Sequence, residues 1–139
     1  LDTTTITLEV TESELMGELT TSLDVLTRLR LKGVRLSIDD FGTGYSSLLQ
    51  LFRMPFSELK IDQSFVSKMV VDMEALAIVQ ACILLGEQFN MRVVAEGVED
   101  LATKELLAEL GCQVVQGYFI AKPMAAEELR PWLVLQLKP

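Results

Sequence analysis

Five short β-rich segments, with helical patterns between them, set the strongest limit on how this chain can fold. They run from Ile6 to Val10, Val34 to Ile38, Glu58 to Ile61, Arg92 to Ala95 and Gln113 to Val115. Leu23, Leu26 and Leu29 recur at helical spacing ahead of Gly33, which stops that helix. Asp72 is placed to cap a helix running to about Phe89. Asp100 is placed to cap another, with Leu106, Leu107 and Leu110 on one face and Gly111 after it. A strand therefore begins roughly every 20 to 35 residues, the rhythm of parallel βα units. The 139 residues suit one domain. No low-complexity linker interrupts the rhythm, and the segment after Pro123 reads as a short helix and tail.

A parallel sheet needs cover on both faces, so it is either doubly wound or closed into a barrel. The residue that follows each strand separates the two. Glu9 ends the first segment, and Asp39 and Asp40 directly follow the second. Lys60 and Asp62 close the third, Glu96 follows the fourth and Gln116 the fifth. A barrel draws its site from the C-terminal ends of many strands, whereas a doubly wound sheet gathers it at one switch point. An acid after a single strand is often a helix cap or turn former. A lysine cannot N-cap, and five polar strand ends in succession favour the barrel. The expected fold class is α/β: a partial (β/α) TIM-type barrel of about five parallel βα units.

Charge narrows the chemistry. The net charge is −8 and the 12 Lys and Arg residues form no stripe, which argues against DNA or RNA as partner. A small phosphate substrate would then need a divalent cation held by carboxylates. The chain has no histidine, which excludes Ser-His-Asp and Cys-His catalysis as well as histidine bases and metal ligands. The longest apolar run, Ala75 to Leu85, is broken by Gln80 and too short to span a bilayer, so no membrane contact is expected of this segment. Cys82 and Cys112 read as free thiols rather than a disulfide or zinc pair.

The most informative stretch is Asp39-Asp40-Phe41-Gly42-Thr43-Gly44-Tyr45-Ser46-Ser47-Leu48. Adjacent carboxylates repel unless a cation sits between them, and Gly42 and Gly44 permit backbone angles that other residues resist. The plainer reading of the same residues is a glycine turn before a helix capped by Ser46. This segment resembles the DDFG-type loop of EAL-domain phosphodiesterases. The other motifs agree in order and type: Leu8-Glu9-Val10-Thr11-Glu12, Leu59-Lys60-Ile61-Asp62, Val93-Val94-Ala95-Glu96-Gly97-Val98-Glu99, Gln116-Gly117-Tyr118 and Lys122-Pro123.

The resemblance implies a bacterial signalling domain that hydrolyses cyclic di-GMP to linear pGpG with Mg²⁺ or Mn²⁺, two ions in the complete domain. Glu9, Asp39, Asp40 and Glu96 would hold metal. Lys60 would hold and polarise the attacking water, and Glu96 would act on that same water. Glu12 would fix the loop containing Phe41, Gly42 and Gly44, while Asp62, Glu99 and Gln116 would support the site. Oxygen ligands suit such hard cations, and a paired-metal site can clamp a phosphodiester for in-line attack. The family's naming Glu-Ala-Leu motif and a ligating asparagine belong upstream of Leu1. Glu74-Ala75-Leu76 is not that motif, because it falls in the first turn of a helix where Glu is favoured for its own sake. Residues 1–139 are thus expected to be the C-terminal part of an EAL domain, without the N-terminal strands. The expectation extends to a cytoplasmic location, regulatory sensor domains upstream, and a homodimer. The competing readings are a catalytically inactive cyclic di-GMP-binding or protein-interaction EAL module, and an unrelated half-barrel.

Overall fold

The computed structural model describes residues 2–15, 19–44 and 48–136. Tyr45, Ser46 and Ser47 lie outside them, and with them the expected cap at Ser46. A 3₁₀ turn (Thr3–Thr5) leads into β1 (Thr7–Thr11), followed by α1 (Glu12–Leu15) and α2 (Leu19–Leu31). Next come β2 (Arg35–Phe41), α3 (Leu48–Arg53), β3 (Glu58–Ile61), α4 (Gln63–Val66) and α5 (Met73–Gln88). The chain then forms β4 (Arg92–Ala95), α6 (Leu101–Glu109), β5 (Val114–Val115) and α7 (Ala126–Gln136).

The five strands form one sheet in the order β1-β2-β3-β4-β5, and every pair is parallel. Each strand lies beside its sequence neighbour and the order never reverses. This is the winding of a barrel rather than of a switch-point sheet. Five strands do not close a barrel of eight, and among the described residues β1 and β5 each have one strand partner.

Alternation along the strands divides the two faces. Leu36 and Ile38 on β2, Leu59 and Ile61 on β3, and Val93 and Ala95 on β4 are wholly buried in the apolar core. Helix α5 packs on β3 and β4 and buries Ala75, Val79, Cys82, Ile83 and Gly86. These positions keep the three- and four-residue spacing of one helical face. The opposite sheet face carries Ser37, Asp39, Glu58 and Lys60, so the polar side chains are held by strands whose other side is anchored in the core.

The helix caps fall where the sequence places them. The Asp72 carboxylate accepts from the Glu74 and Ala75 amides at the start of α5, which puts Glu74-Ala75-Leu76 in an ordinary first turn. Asp100 accepts from the Thr103 amide at the start of α6. Cys82 is buried and Cys112 half-buried, and both are free.

Two expectations need correction. Asp39 and Asp40 do not follow the second strand but lie inside it, because β2 extends to Phe41. Glu9 is not at the end of the first strand; it is the central residue of β1. Both shifts arise from strand pairing. β1 is held along its whole length, from Thr7 opposite Arg35 to Thr11 opposite Asp39, and Phe41 pairs with Ile61.

Candidate active site

Consecutive residues of a regular strand point to opposite faces, so two adjacent aspartates would not normally serve one site. A bulge in β2 removes this obstacle. Ile38 pairs with Leu59 and Phe41 with Ile61, so three steps along β2 match two along β3. The extra residue falls at Asp39-Asp40, and Asp40 takes a left-handed backbone with φ 55°. Aspartate tolerates that region better than most residues, though at some cost. The bulge re-aims the second carboxylate, and oxygens of Asp39, Asp40 and Glu96 come within 4.8 Å of one another.

Lys60 reaches into this group from β3, with its side chain only 6% exposed. Its ammonium pairs with Glu96 at 2.8 Å, Glu9 at 2.9 Å and Asp39 at 3.2 Å. Strands β1, β2 and β3, and the residue directly after β4, thus contribute to one charged knot. Burial alone would lower the Lys60 pKa, but the hydrogen bonds to Glu96, Glu9 and Asp39 outweigh it and hold the group above its ordinary value. Lys60 is therefore a fixed cation rather than a proton acceptor. Burial pushes the Glu96 carboxyl up, Lys60 opposes this, and Asp39 and Glu9 add to the upward push. Burial also raises Asp40, with further repulsion from Asp39 and Asp62.

The loop after β2 is tied down by Glu12, the first residue of α1, which is 3% exposed. One of its carboxylate oxygens accepts from the amides of Gly42 and Gly44, each at 3.1 Å. Glycine is needed at both positions. Gly42 has φ 101°, a conformation that side chains resist. A Cβ on Gly44 would lie 2.9 Å from the Glu12 carboxyl carbon. Phe41, at the end of β2, is buried in the core below the loop.

Asp62 caps α4 by accepting from the Ser64 amide at 2.9 Å and faces Asp40. Glu99 and Gln116 do not join the Lys60 knot. They line a cleft of about 350 Å³ beside it, together with Glu96, Gln63 and Tyr118. The Gln116 amide and carbonyl bond the Ala95 carbonyl and the Val98 amide, which fixes this cleft against the end of β4. Gln63 was not anticipated. Its one sequence signal is its position directly after Asp62, in the first turn of a helix starting at a strand's C-terminal end.

Sequence reading expected Glu9, Asp39, Asp40 and Glu96 as one ligand set. The structure clusters three of them at ligand distance, and Glu9 instead engages Lys60. The clustered donors are all carboxylate oxygens, the donor type preferred by Mg²⁺ and Mn²⁺. The buried Lys60 ammonium stands beside them, and this pairing suits stabilisation of charge developing on a phosphoryl group.

The EAL domain family model matches residues 1–123. The bifunctional diguanylate cyclase/cyclic di-GMP phosphodiesterase MucR of Pseudomonas aeruginosa is 50% identical over 129 residues, which are 93% of this chain and 19% of MucR. Its phosphodiesterase structure, a c-di-GMP complex, superimposes with a TM-score of 0.90 over 93% of this chain and 52% of that one. The EAL domain of Mycobacterium smegmatis DcpA, 39% identical, also gives 0.90 over 100% of this chain and 62% of that one. Klebsiella pneumoniae BlrP1, in a complex with manganese and cyclic di-GMP, gives 0.82 at 35% identity, over 88% of this chain and 31% of that one. The chain thus spans less than a fifth of the MucR protein and about half of the MucR phosphodiesterase structure. With the family model matched over most of its length, this chain belongs to the EAL domain family.

Proposed function

We propose that the chain forms the C-terminal part of a metal-dependent phosphodiesterase domain that hydrolyses cyclic di-GMP to linear pGpG. The observation that carries this reading is the β2 bulge. A strained backbone at Asp40 persists only where the surroundings impose it, and here its consequence is three carboxylates at ligand distance next to a buried lysine. Asp39, Asp40 and Glu96 would hold Mg²⁺ or Mn²⁺. Bound there, such an ion supplies Lewis-acid stabilisation of the phosphodiester and activation of water. Lys60 orients Glu96, Glu9 and Asp39 through its three contacts and offers fixed positive charge to the developing oxyanion. Glu96 is positioned to accept a proton from water. Glu12 keeps the Gly42–Gly44 backbone seated beside Asp40. The names of MucR and BlrP1 support the substrate, and the BlrP1 complex supports a divalent metal.

The same proposal places the remaining ligands in strands that precede β1 and close the barrel against its two edges. The share of the solved EAL chains that this one spans supports this placement. In the 139-residue chain on its own those two parallel edges stay open and favour pairing with a second copy. No helix among the described residues is long and apolar enough to cross a membrane. A cytoplasmic location fits a nucleotide-signalling substrate and two free thiols. Sensor domains upstream fit relatives several times longer than this chain, among them the oxygen sensor protein DosP of Escherichia coli.

The test is an assay of the complete domain with cyclic di-GMP and Mn²⁺, with product separated by chromatography. Formation of pGpG that EDTA stops supports the proposal. Tight nucleotide binding without turnover would replace it with a binding module.

A further inference from the structure

Lys60 has no donor to spare. An ammonium carries three N–H donors, and the carboxylates of Glu96, Glu9 and Asp39 take them at 2.8, 2.9 and 3.2 Å. To donate to a phosphoryl oxygen or to water, Lys60 must first release one of the three. Geometry singles out Glu9. Asp39 and Glu96 form the carboxylate cluster with Asp40, and Glu9 stands outside it. Glu9 is also the longest reach, because β2 lies between β1 and β3 and the bridge spans two strand spacings of about 4.8 Å each. A Lys60 ammonium that turns into the cluster therefore turns away from Glu9.

The residue beneath this bridge is Ser37. It is the β2 residue level with Glu9, and Asp39 lies two residues further along the same face. Ser37 is wholly buried, and among the described residues its Oγ has no hydrogen-bond partner. A buried hydroxyl without a partner is costly. Lys60 has no proton left to give it, and the Glu9 carboxylate, one strand spacing away, is held by Lys60 instead.

We propose that Ser37 is a positioning residue for the reaction: its hydroxyl donates to the Glu9 carboxylate when Lys60 leaves Glu9 for the substrate phosphate. The proposal rests on the phosphodiesterase reading and adds a residue to that same site. The exchange keeps every group paired. Lys60 trades a carboxylate for a phosphoryl oxygen, Glu9 trades an ammonium for a hydroxyl, and Ser37 gains a partner. Without the hydroxyl, Glu9 would lose its Lys60 proton and gain none from Ser37, so the turn of Lys60 would cost more. The bond occupies one Glu9 oxygen and leaves the other free. A serine is also small enough to let the Lys60 side chain cross β2.

The test uses the complete domain and Ser37→Ala. Metal-free stability in urea should be unaltered or higher, because the resting hydroxyl has no partner to lose. With cyclic di-GMP and Mn²⁺, kcat should fall roughly 10- to 100-fold, as expected for loss of a hydrogen bond to a charged group. KM should stay the same, since the hydroxyl acts after binding. A merely structural role would lower stability and leave the kcat of folded protein intact. A crystal structure of the wild-type domain with cyclic di-GMP and Ca²⁺ should place Ser37 Oγ within about 3 Å of a Glu9 oxygen, with the Lys60 ammonium off Glu9. Normal kcat in folded Ser37→Ala, lower stability of that variant, or Lys60 still bonded to Glu9 in the complex would each overturn the proposal. If the wild-type domain hydrolyses no cyclic di-GMP, the phosphodiesterase reading fails. The crystal structure then decides alone: a Ser37–Glu9 bond sustains the hand-over, and a complex without that bond, or no complex at all, overturns it.

Discussion

Replacing Glu12 by alanine should slow catalysis through the loop after β2 rather than through loss of a metal ligand. Glu12 is 3% exposed and, among the described residues, its carboxylate accepts backbone hydrogen bonds from Gly42 and Gly44. Hydrogen bonds to a charged group contribute about 1.5–3 kcal/mol each. Taking the lower figure because burial of the carboxylate offsets part of the gain, the pair holds the loop by about 3 kcal/mol. At about 1.4 kcal/mol per factor of ten, the ordered loop becomes roughly a hundredfold less populated. Asp40 adjoins this loop, so kcat should fall by up to that factor. Glu12→Gln keeps an acceptor oxygen without the charge and should fall in between. Two measurements on the complete domain check this: cyclic di-GMP turnover, and amide exchange at Gly42 and Gly44, which should lose protection in Glu12→Ala. Collapse of metal affinity with amide protection intact would refute the reasoning and make Glu12 a direct ligand.

Other outcomes follow from the same geometry. Lys60→Ala and Glu96→Gln should each lower kcat by roughly 100-fold or more, with the loss in turnover rather than in KM; near-normal turnover in a folded variant would remove their assigned roles. Asp40→Gly should raise metal-free stability in urea by roughly 1 kcal/mol, since it relieves a left-handed backbone and the repulsion from Asp39 and Asp62, yet abolish turnover; lower stability would mean the bulge is unstrained. Burial, with the Glu12 charge adding to it, pushes the Cys82 thiol up to about 12. Cys82 should therefore resist alkylation at pH 8 in the native state and react readily in urea, as peptide mapping would show. The 139-residue chain alone should hydrolyse cyclic di-GMP poorly and self-associate through its open sheet edges, which light scattering and the turnover assay would detect.

The sequence exposed more of the fold than of the site. Strand positions and the caps Asp72 and Asp100 follow from local pattern, and local pattern survives folding; the placement of Glu9, Asp39 and Asp40 at strand ends did not. The sequential parallel order was also legible, because every strand, or the residue just after it, carried its own polar side chain. The bulge was not. Whether Asp39 and Asp40 lie after β2 or inside it depends on how β2 registers against β3, and register is set by pairing across the sheet. The partnership of Glu9 with Lys60 was hidden for the same reason: Lys60 stands between β1 and β4, and no spacing rule shows which carboxylates it will meet. Gln63 carries no motif and becomes visible only when α4 is seen beside Gly97, where an added Cβ would lie 2.5 Å from the Gln63 side chain.

The carboxylate centre itself is tested most directly by Mn²⁺ titration of the complete domain, followed by the electron paramagnetic resonance signal of the free ion. Wild-type protein should remove Mn²⁺ from solution, and Asp39→Asn, Asp40→Asn and Glu96→Gln should each weaken binding about tenfold or more, as loss of a ligand oxygen does. A Glu99→Gln variant, outside the cluster, should bind more tightly than any of the three. Equal Mn²⁺ affinity in wild-type and Asp40→Asn protein would contradict the account, because the bulge would then have no metal to serve.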